Sequence, residues 1–315
     1  ATKGLQYVID AFPSGGGWIE GVMYLCTTIG HLTDFVMPLY RLTGRDLGLL
    51  TNTSFHDTLT FRLYMQGGDN QPYNFSNMSE HTPEYFLAQG FWWARMLNRP
   101  EWARYEELAL KDWRYTGGLF HDTETFWFRA LHQSSQEPAL DRLKHFRVLD
   151  WLTWRGDRSW LAFRSGYNNG NHNNLDLGHF ILGYDRERFL IDPGYGAVGT
   201  DQHNAVTIRG AHQAIGATTT VFRVREFAGG FYLACDLQPA FPLALASYNR
   251  HLLLIDDRHL LMLDDILAPQ GRRNNAQWHL QTRMGVEKQD DGCLRLKGVN
   301  AVMTVRFLWG VRSLK

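Results

Sequence analysis

Residues 168–180 read Asn168-Asn169-Gly170-Asn171-His172-Asn173-Asn174-Leu175-Asp176-Leu177-Gly178-His179-Phe180 and run straight into Ile181-Leu182-Gly183-Tyr184. Seven amide or imidazole side chains ahead of a strand are far more than a turn needs, so the segment marks a strand entry and a concentration of chemistry. The same grammar extends on both sides of it. Short β-branched or aromatic runs separated by turn residues occur at 160–164, 180–184, 189–191, 205–208, 218–224 and 231–235. Residues 252–255 and 260–263 flank Asp256-Asp257-Arg258-His259, a hairpin signature, and strand-like runs at 278–281, 294–296 and 302–308 complete the series.

Upstream of about Leu143 the period is different. Val22, Met23, Cys26, Ile29, Leu32, Phe35, Val36, Leu39 and Tyr40 recur at the three-and-four spacing of a helix with one buried face, over residues 21–42. Thr82 followed by Pro83 predicts a second helix carrying Tyr85, Phe86, Phe91, Trp92 and Leu97, and Pro100 opens another carrying Trp102, Tyr105, Ala109 and Trp113. Asp122 caps a further one near 126–131, with loops at 44–48 and 66–77. Helices followed by strands argue segregated layers, not a doubly wound sheet. The expected fold is α+β and multidomain, with a helical domain at 1–143 and an antiparallel β domain at 144–315.

Composition narrows the function classes. The 315 residues are 44% hydrophobic, enough for extensive cores. Thirty-two basic residues balance thirty-two acidic ones, so no global positive field draws in a polyanion, nucleic acid is not an expected partner, and an acidic substrate has to be held by local groups. No run of eighteen or more apolar residues predicts a membrane span, and Ala1-Thr2-Lys3-Gly4 carries neither an initiating Met nor a signal-like apolar core. Three widely spaced cysteines make no disulfide framework. Aromatic residues, at 14% and including eleven Trp, fill cores or stack on sugar faces.

Two further polar clusters follow the first. Asp192-Pro193-Gly194-Tyr195 ends one strand and Asp201-Gln202-His203-Asn204 enters the next, so three strand ends present His, Asp and His, the inventory of a metal site or an acid/base pair. The set His172-x-Asn174-x-Asp176-x-Gly178-x-Phe180, then Asp192-Pro193-Gly194, His203-Asn204 and Gly210-x-x-Gln213, resembles the β-domain signature of heparinase II/III-like proteins, which usually reads H-x-H-x-D-x-G-S-F, D-x-G, H-N and G-x-x-Q. Residues 14–24, containing Gly17-Trp18-Ile19-Glu20-Gly21 and Tyr24, resemble the D-G-S-W-x-E-G-x-x-Y segment of the same families, and Tyr248-x-Arg250 with Leu263-Asp264-Asp265 also fits. The resemblance runs from about residue 10 to at least residue 265.

It implies an (α/α) toroid, incomplete in this chain, followed by an antiparallel β-sandwich, and cleavage of a uronic-acid-containing anionic polysaccharide by β-elimination. That chemistry needs a base for the C5 proton, an acid for the departing glycosidic oxygen and donors that neutralise the uronate carboxylate. Tyr24 matches the family's catalytic tyrosine and His172 its catalytic-type histidine. Trp18, Glu20, Asn171, Tyr195 and Arg250 are the candidate substrate contacts. The resemblance also implies a structural zinc ion: Asp192 and His203 match two of its ligands, and Asn174 stands where the second His of H-x-H is the third. An amide oxygen is a poor zinc ligand, and His179, in place of the family's serine, is the candidate substitute, though on a different strand direction.

The Asn or Asn-His pair that neutralises the carboxylate in relatives precedes the Trp18 loop, and only about a dozen residues do so here, which predicts a C-terminal portion of a longer enzyme. Asn70, Gln71, Asn74 and Asn77 form an amide-rich loop that could stand in, or serve as ordinary turn chemistry. Two alternatives share the scaffold: a uronate C5-epimerase and a non-catalytic carbohydrate-binding module. A glycoside hydrolase wants a carboxylate pair, and Glu20 with Asp176 is the only one to propose. A periplasmic or secreted location follows from the resemblance alone.

Overall fold

The computed structural model describes residues 2–80, 86–112, 138–273 and 275–308, and among these five helices come first and fourteen strands follow. The helices are α1 (Thr2–Asp10), α2 (Gly21–Thr43), α3 (Thr53–Tyr64), α4 (Gly90–Met96) and α5 (Pro100–Asp112). In α2 the side chains of Val22, Cys26, Ile29, Leu32 and Val36 form a buried stripe as their spacing predicts, joined by Leu25, whereas Phe35 is exposed. Gly44 ends it in the left-handed conformation, its N–H donating to Tyr40 O at 2.8 Å. Asn52 caps α3 by accepting from the Phe55 N–H. The buried Arg62 guanidinium on α3 meets Glu106 on α5 at 2.6 Å, tying two helices through the core. The expected helix start at Thr82-Pro83, Trp113 and the expected helix near 126–131 lie outside the described residues. No described helix is long and apolar enough to cross a membrane.

Four antiparallel sheets follow. The first has strand order β1-β2-β3-β4-β5 (Leu143–Phe146, Trp151–Arg155, Ser159–Arg164, Phe180–Tyr184, Glu187–Leu190), and the second β10-β9-β8-β7 (His259–Leu267, Ser247–Ile255, Gly230–Asp236, Thr220–Phe227). A two-stranded pair joins β6 (Val206–Ile208) to β11 (Ala276–Trp278), and β12 (Gly285–Lys288), β13 (Leu294–Lys297) and β14 (Val302–Val305) form the last sheet.

The central strands of the first sheet, Trp-Leu-Thr-Trp and Trp-Leu-Ala-Phe, lack polar alternation because both of their faces are covered. Trp151, Trp160, Ala162 and Ile181 pack on the helices, and Leu152, Trp154, Leu161 and Phe163 pack on the second sheet. Phe75 meets Trp151 edge-on at 5.3 Å on one side, and Trp154 meets Phe231 at 5.4 Å on the other. The helical half therefore shares a core with the sheet, and the two sheets form a sandwich-like pair with a second core between them. Gly183 faces Trp160 in the register, where a β-carbon would lie 2.0 Å from the indole.

Polar clamps fix how these layers meet. Asp256 and Asp257 both take left-handed φ in the β9–β10 hairpin, as a primed turn requires, and the Asp257 carboxylate accepts from the Arg158 and Ser159 N–H groups in the β2–β3 turn of the other sheet. Arg188 on β5 holds the 69–74 loop through Asp69 and the carbonyls of Gln71 and Pro72. Glu187 accepts three consecutive backbone N–H groups from Val299, Asn300 and Ala301, anchoring the last sheet.

Arg250, on β9, is 1% exposed. Its guanidinium is bidentate to Asp264 at 2.8 Å on both oxygens and donates to Gly178 O and Asn204 O. Its donors are spent inside the sandwich, so the expectation that it contacts substrate is corrected to a structural role. Arg250→Ala, leaving the Asp264 carboxylate buried and unpaired, is expected to cost about 3–5 kcal/mol in denaturant unfolding, and Arg250→Met with Asp264→Leu to recover most of it.

Candidate functional site

Tyr24 sits one turn into α2, whose start is set by Gly21: its left-handed φ of 81° and the Phe75 carbonyl, 2.6 Å from where a β-carbon would lie, exclude any side chain. His172 comes from the other half. It occupies the polar segment ahead of β4, with a φ of 59°. The amides around it explain why that segment holds so many. Asn168 donates to Ala214 O, Asn173 to Ile19 O at 2.8 Å and to Ser76 Oγ at 3.2 Å, and Asn174 to Ser76 O at 3.3 Å. The side chains substitute for secondary structure and dock the segment onto the helical half.

That docking brings Tyr24 and His172 into parallel stacking, ring centroids 3.6 Å apart and planes 10° from parallel. Glu20 Oε1 lies 3.9 Å from His172 Nδ1. Both rings reach solvent in part: the His172 side chain is 37% exposed and Tyr24 is half-buried. A phenol, an imidazole and a carboxylate thus meet at an open edge where helix and loop join, an arrangement able to move a proton on and off one bound molecule.

The other candidates are dispersed. Trp18 packs on Phe12 at 5.8 Å, Asn171 is exposed beside His172, and Tyr195 is 64% exposed on the loop after β5. Asp176 is fully buried and paired with Arg164, itself fully buried, so a carboxylate pair of Asp176 with Glu20 is excluded. Burial lowers the Arg164 pKa to about 9. In the amide-rich loop, Asn74 spends its amide donors on Met78 O and Asp192 O and accepts from Arg188, which leaves it no donor for a substrate carboxylate. Gln213 of the G-x-x-Q motif grips Leu177 through both its N–H and its carbonyl, acting as a strand partner.

A second cluster lies deeper. His179, Asp192 and His203, all fully buried, bring one donor atom each to within 4.8 Å of one another. Asp192 Oδ2 is 3.1 Å from His179 Nε2 and 3.3 Å from His203 Nδ1. These are not aligned hydrogen bonds, and all three atoms are buried without a hydrogen-bond partner, as is Asn174 Oδ1. Burial, despite Asp192, lowers the His179 pKa to about 4, so its ring is neutral near pH 7. Burial alone would raise the Asp192 carboxyl, but His203 and His179 beside it hold it well below the usual carboxylate range.

The donor set fits a metal ion at Asp192 and His203 but not at His179. Zinc bonds of about 2.0–2.1 Å in a tetrahedron set ligand atoms roughly 3.3 Å apart. His203 Nε2 donates to Ala197 O at 3.0 Å, which leaves Nδ1 as a lone pair facing the cluster. At His179 the Asn204 N–H donates to Nδ1 at 2.9 Å, so the neutral ring carries its proton on Nε2, facing Asp192, and has no lone pair to offer a metal there. The third group beside Asp192 and His203 is His179, the substitute considered from the sequence, and the Asn174 amide is turned to Ser76. The signal was present, a second histidine seven residues after the first, but its direction could not be read from strand alternation because His179 precedes the strand proper.

A family profile described as Heparinase II/III-like, C-terminal, matches residues 138–313. A search of curated proteins finds no significant match. Among solved structures, heparan sulfate lyase HepC from Pedobacter heparinus superposes with a TM-score of 0.71 at 13% identity, covering 95% of this chain and 46% of that one. The heparinase III BT4657 gene product gives 0.71 at 13%, covering 94% and 45%, and another heparinase III gives 0.68 at 13%, covering 95% and 48%. At these identities the likeness is one of fold, and the chain spans less than half the length of those proteins.

Asn173→Ala removes the shorter of two hydrogen bonds to the Ile19 carbonyl, the other coming from Ser76 Oγ, and is expected to destabilise by about 0.5–1.5 kcal/mol. Amide exchange across residues 170–176 should accelerate, while the helical core beyond α2 stays protected.

Proposed function

Because the chain belongs to the heparinase II/III-like family, we propose that it is part of a polysaccharide lyase acting on a uronic-acid-containing anionic polysaccharide. The observation that carries this reading is the stacked pair of Tyr24 and His172 at the junction of α2 with the 168–180 segment.

Glu20, with Oε1 3.9 Å from His172 Nδ1, is the carboxylate on that side of the ring, and Nε2 is the proposed base. His172 takes the C5 proton of a uronate, the electron pair forms the C4–C5 double bond, the C4–O bond breaks, and Tyr24 protonates the departing glycosidic oxygen. The products are an unsaturated uronate and a free hydroxyl end, and a later exchange of protons with solvent resets Tyr24 and His172. The stacking holds base and acid on one side of the sugar, so neither has to be recruited after binding. In the family the donors that neutralise the carboxylate lie on a toroid segment ahead of the Trp18 loop, and the same is proposed for the complete enzyme here. Trp18, Asn171 and Tyr195 are the proposed sugar contacts, Trp18 and Tyr195 by stacking. A polymer substrate of this kind places the protein in the periplasm or outside the cell.

Incubating the full-length protein with alginate, heparan and chondroitin-type polymers, while following the ultraviolet band of unsaturated uronate, tests the reading. Absorbance is expected to rise with at least one polymer, and Tyr24→Phe or His172→Asn to lower kcat/KM by at least ~10²-fold without loss of fold. No rise with any uronate polymer overturns it. Deuterium entering C5 from solvent without chain cleavage would identify an epimerase, and binding without either reaction a carbohydrate-binding module.

A further inference from the structure

The second sheet turns one face to the first sheet and the other to solvent, and its strand registers fix what the outer face shows. Two rows of side chains cross that face from β10 to β7: Leu261, Leu253, Tyr232 and Arg225, then Leu263, His251, Ala234 and Arg223. Leu261 and Leu263 are 45% and 44% exposed, and with Leu253 they stand outside both cores. We propose that this face is a self-association surface, on which a second copy of the chain packs sheet against sheet. The surface is independent of the lyase reading, since neither Tyr24 nor His172 lies on it.

Exposed leucines scattered singly need no explanation, but leucines adjacent across two strands and flanking a tyrosine on a third form a contiguous patch, the mark of a protein-binding surface. A sugar polymer wants aromatic rings to stack on, and Tyr232 is the one phenol in these rows, half-buried and already engaged. Its Oη lies 2.8 Å from His251 Nδ1, so the polar centre of the patch can be covered with that hydrogen bond intact. Aliphatic groups around a matched polar pair fit another protein.

The charge pattern selects a second copy as that protein. Arg223 and Arg225 make a basic margin along β7, both exposed, while Asp265 is exposed on β10 at the opposite margin, one row on. A face that is basic at one margin and acidic at the other is complementary to itself. A twofold axis parallel to the strands lays β7 of one copy over β10 of the other and brings each Arg223 within reach of the other copy's Asp265, a contact made twice by symmetry. An axis across the strands would set Asp265 against the Leu261 row and bury a carboxylate on leucine. Edge-to-edge pairing through β7 is opposed by its arginines and by the register shift between Val221 and Arg223. Four strands of this length cover roughly 19 by 24 Å, a small interface, so the dimer is expected to dissociate on dilution.

Sedimentation velocity on the full-length protein, from low to high micromolar concentration, should show a monomer–dimer equilibrium. Leu263→Glu and Arg223→Asp should each weaken it by at least ~10-fold while keeping the circular dichroism of the wild type. Asp265→Arg should dissociate the dimer as well, and an equimolar mixture of the Arg223→Asp and Asp265→Arg proteins should form a heterodimer, because opposite charges then meet at both contacts. Recovery on mixing separates a broken contact from a misfolded chain. A wild type that stays monomeric throughout, as when another part of the full-length protein covers the face, overturns the proposal. So does a dimer that survives Leu263→Glu, or a mixture that stays monomeric.

Discussion

The polar segments that flank the five-stranded sheet are buried between packed layers, so the groups they carry depend on partners supplied by the chain itself. The demand is heavy, because the segments around 168–180 and 192–204 bring amides, imidazoles and carboxylates into a region walled by Trp151, Phe75 and Phe180. It is met in part by side chains that imitate backbone, while His179 Nε2, Asp192 Oδ2, His203 Nδ1 and Asn174 Oδ1 keep no hydrogen-bond partner. Gln213 pairs with Leu177 as a strand would, and Asn204 donates to Phe180 O and Ile191 O while accepting from Gln281, closing three segments with one amide. Arg250 fills the gap beneath them. Removing any of these leaves several orphaned groups at once, which is why such a network specifies one arrangement of loops.

That specification also fixes the partly exposed edge where Tyr24 and His172 stack. Tyr24 comes from a helix and His172 from a loop 148 positions later in the numbering, and neither element alone fixes the distance between the rings. The distance is set by Asn173 on Ile19 and Ser76, by Gly21 on Phe75, and by the packing of the sheet beneath. The partly exposed pair and the buried His179–Asp192–His203 cluster therefore belong to one construction: the inner polar groups hold the loop whose outer face meets solvent.

Much of this was legible in the sequence, for identifiable reasons. Helix α2 shows a clean stripe because only one of its faces is buried, and the β9–β10 hairpin announces itself through Asp256 and Asp257. Helix α3 was not visible because Phe55, Leu59, Phe61, Arg62, Leu63 and Tyr64 are buried around most of its circumference, which erases the amphipathic period. Strand β2 was lost for the analogous reason, both faces being covered, and β12 for the opposite one, since all four of its residues are exposed. At the site, residue types and order pointed to Tyr24 and His172. What sequence could not supply was direction: that Arg250 turns inward to Asp264, that Asn174 turns to Ser76, and that His179 turns toward Asp192.

The left-handed backbone at His172 filters that position twice. Few side chains tolerate such a φ, chiefly glycine, asparagine, aspartate and histidine. Of these only histidine exchanges a proton near neutrality. Drift at this position that preserves the loop therefore runs toward residues that keep the shape and lose the titratable ring. Descendants of this scaffold should divide sharply into forms that keep a proton-exchanging ring here and equally well-folded forms that lack one, with little room for intermediates.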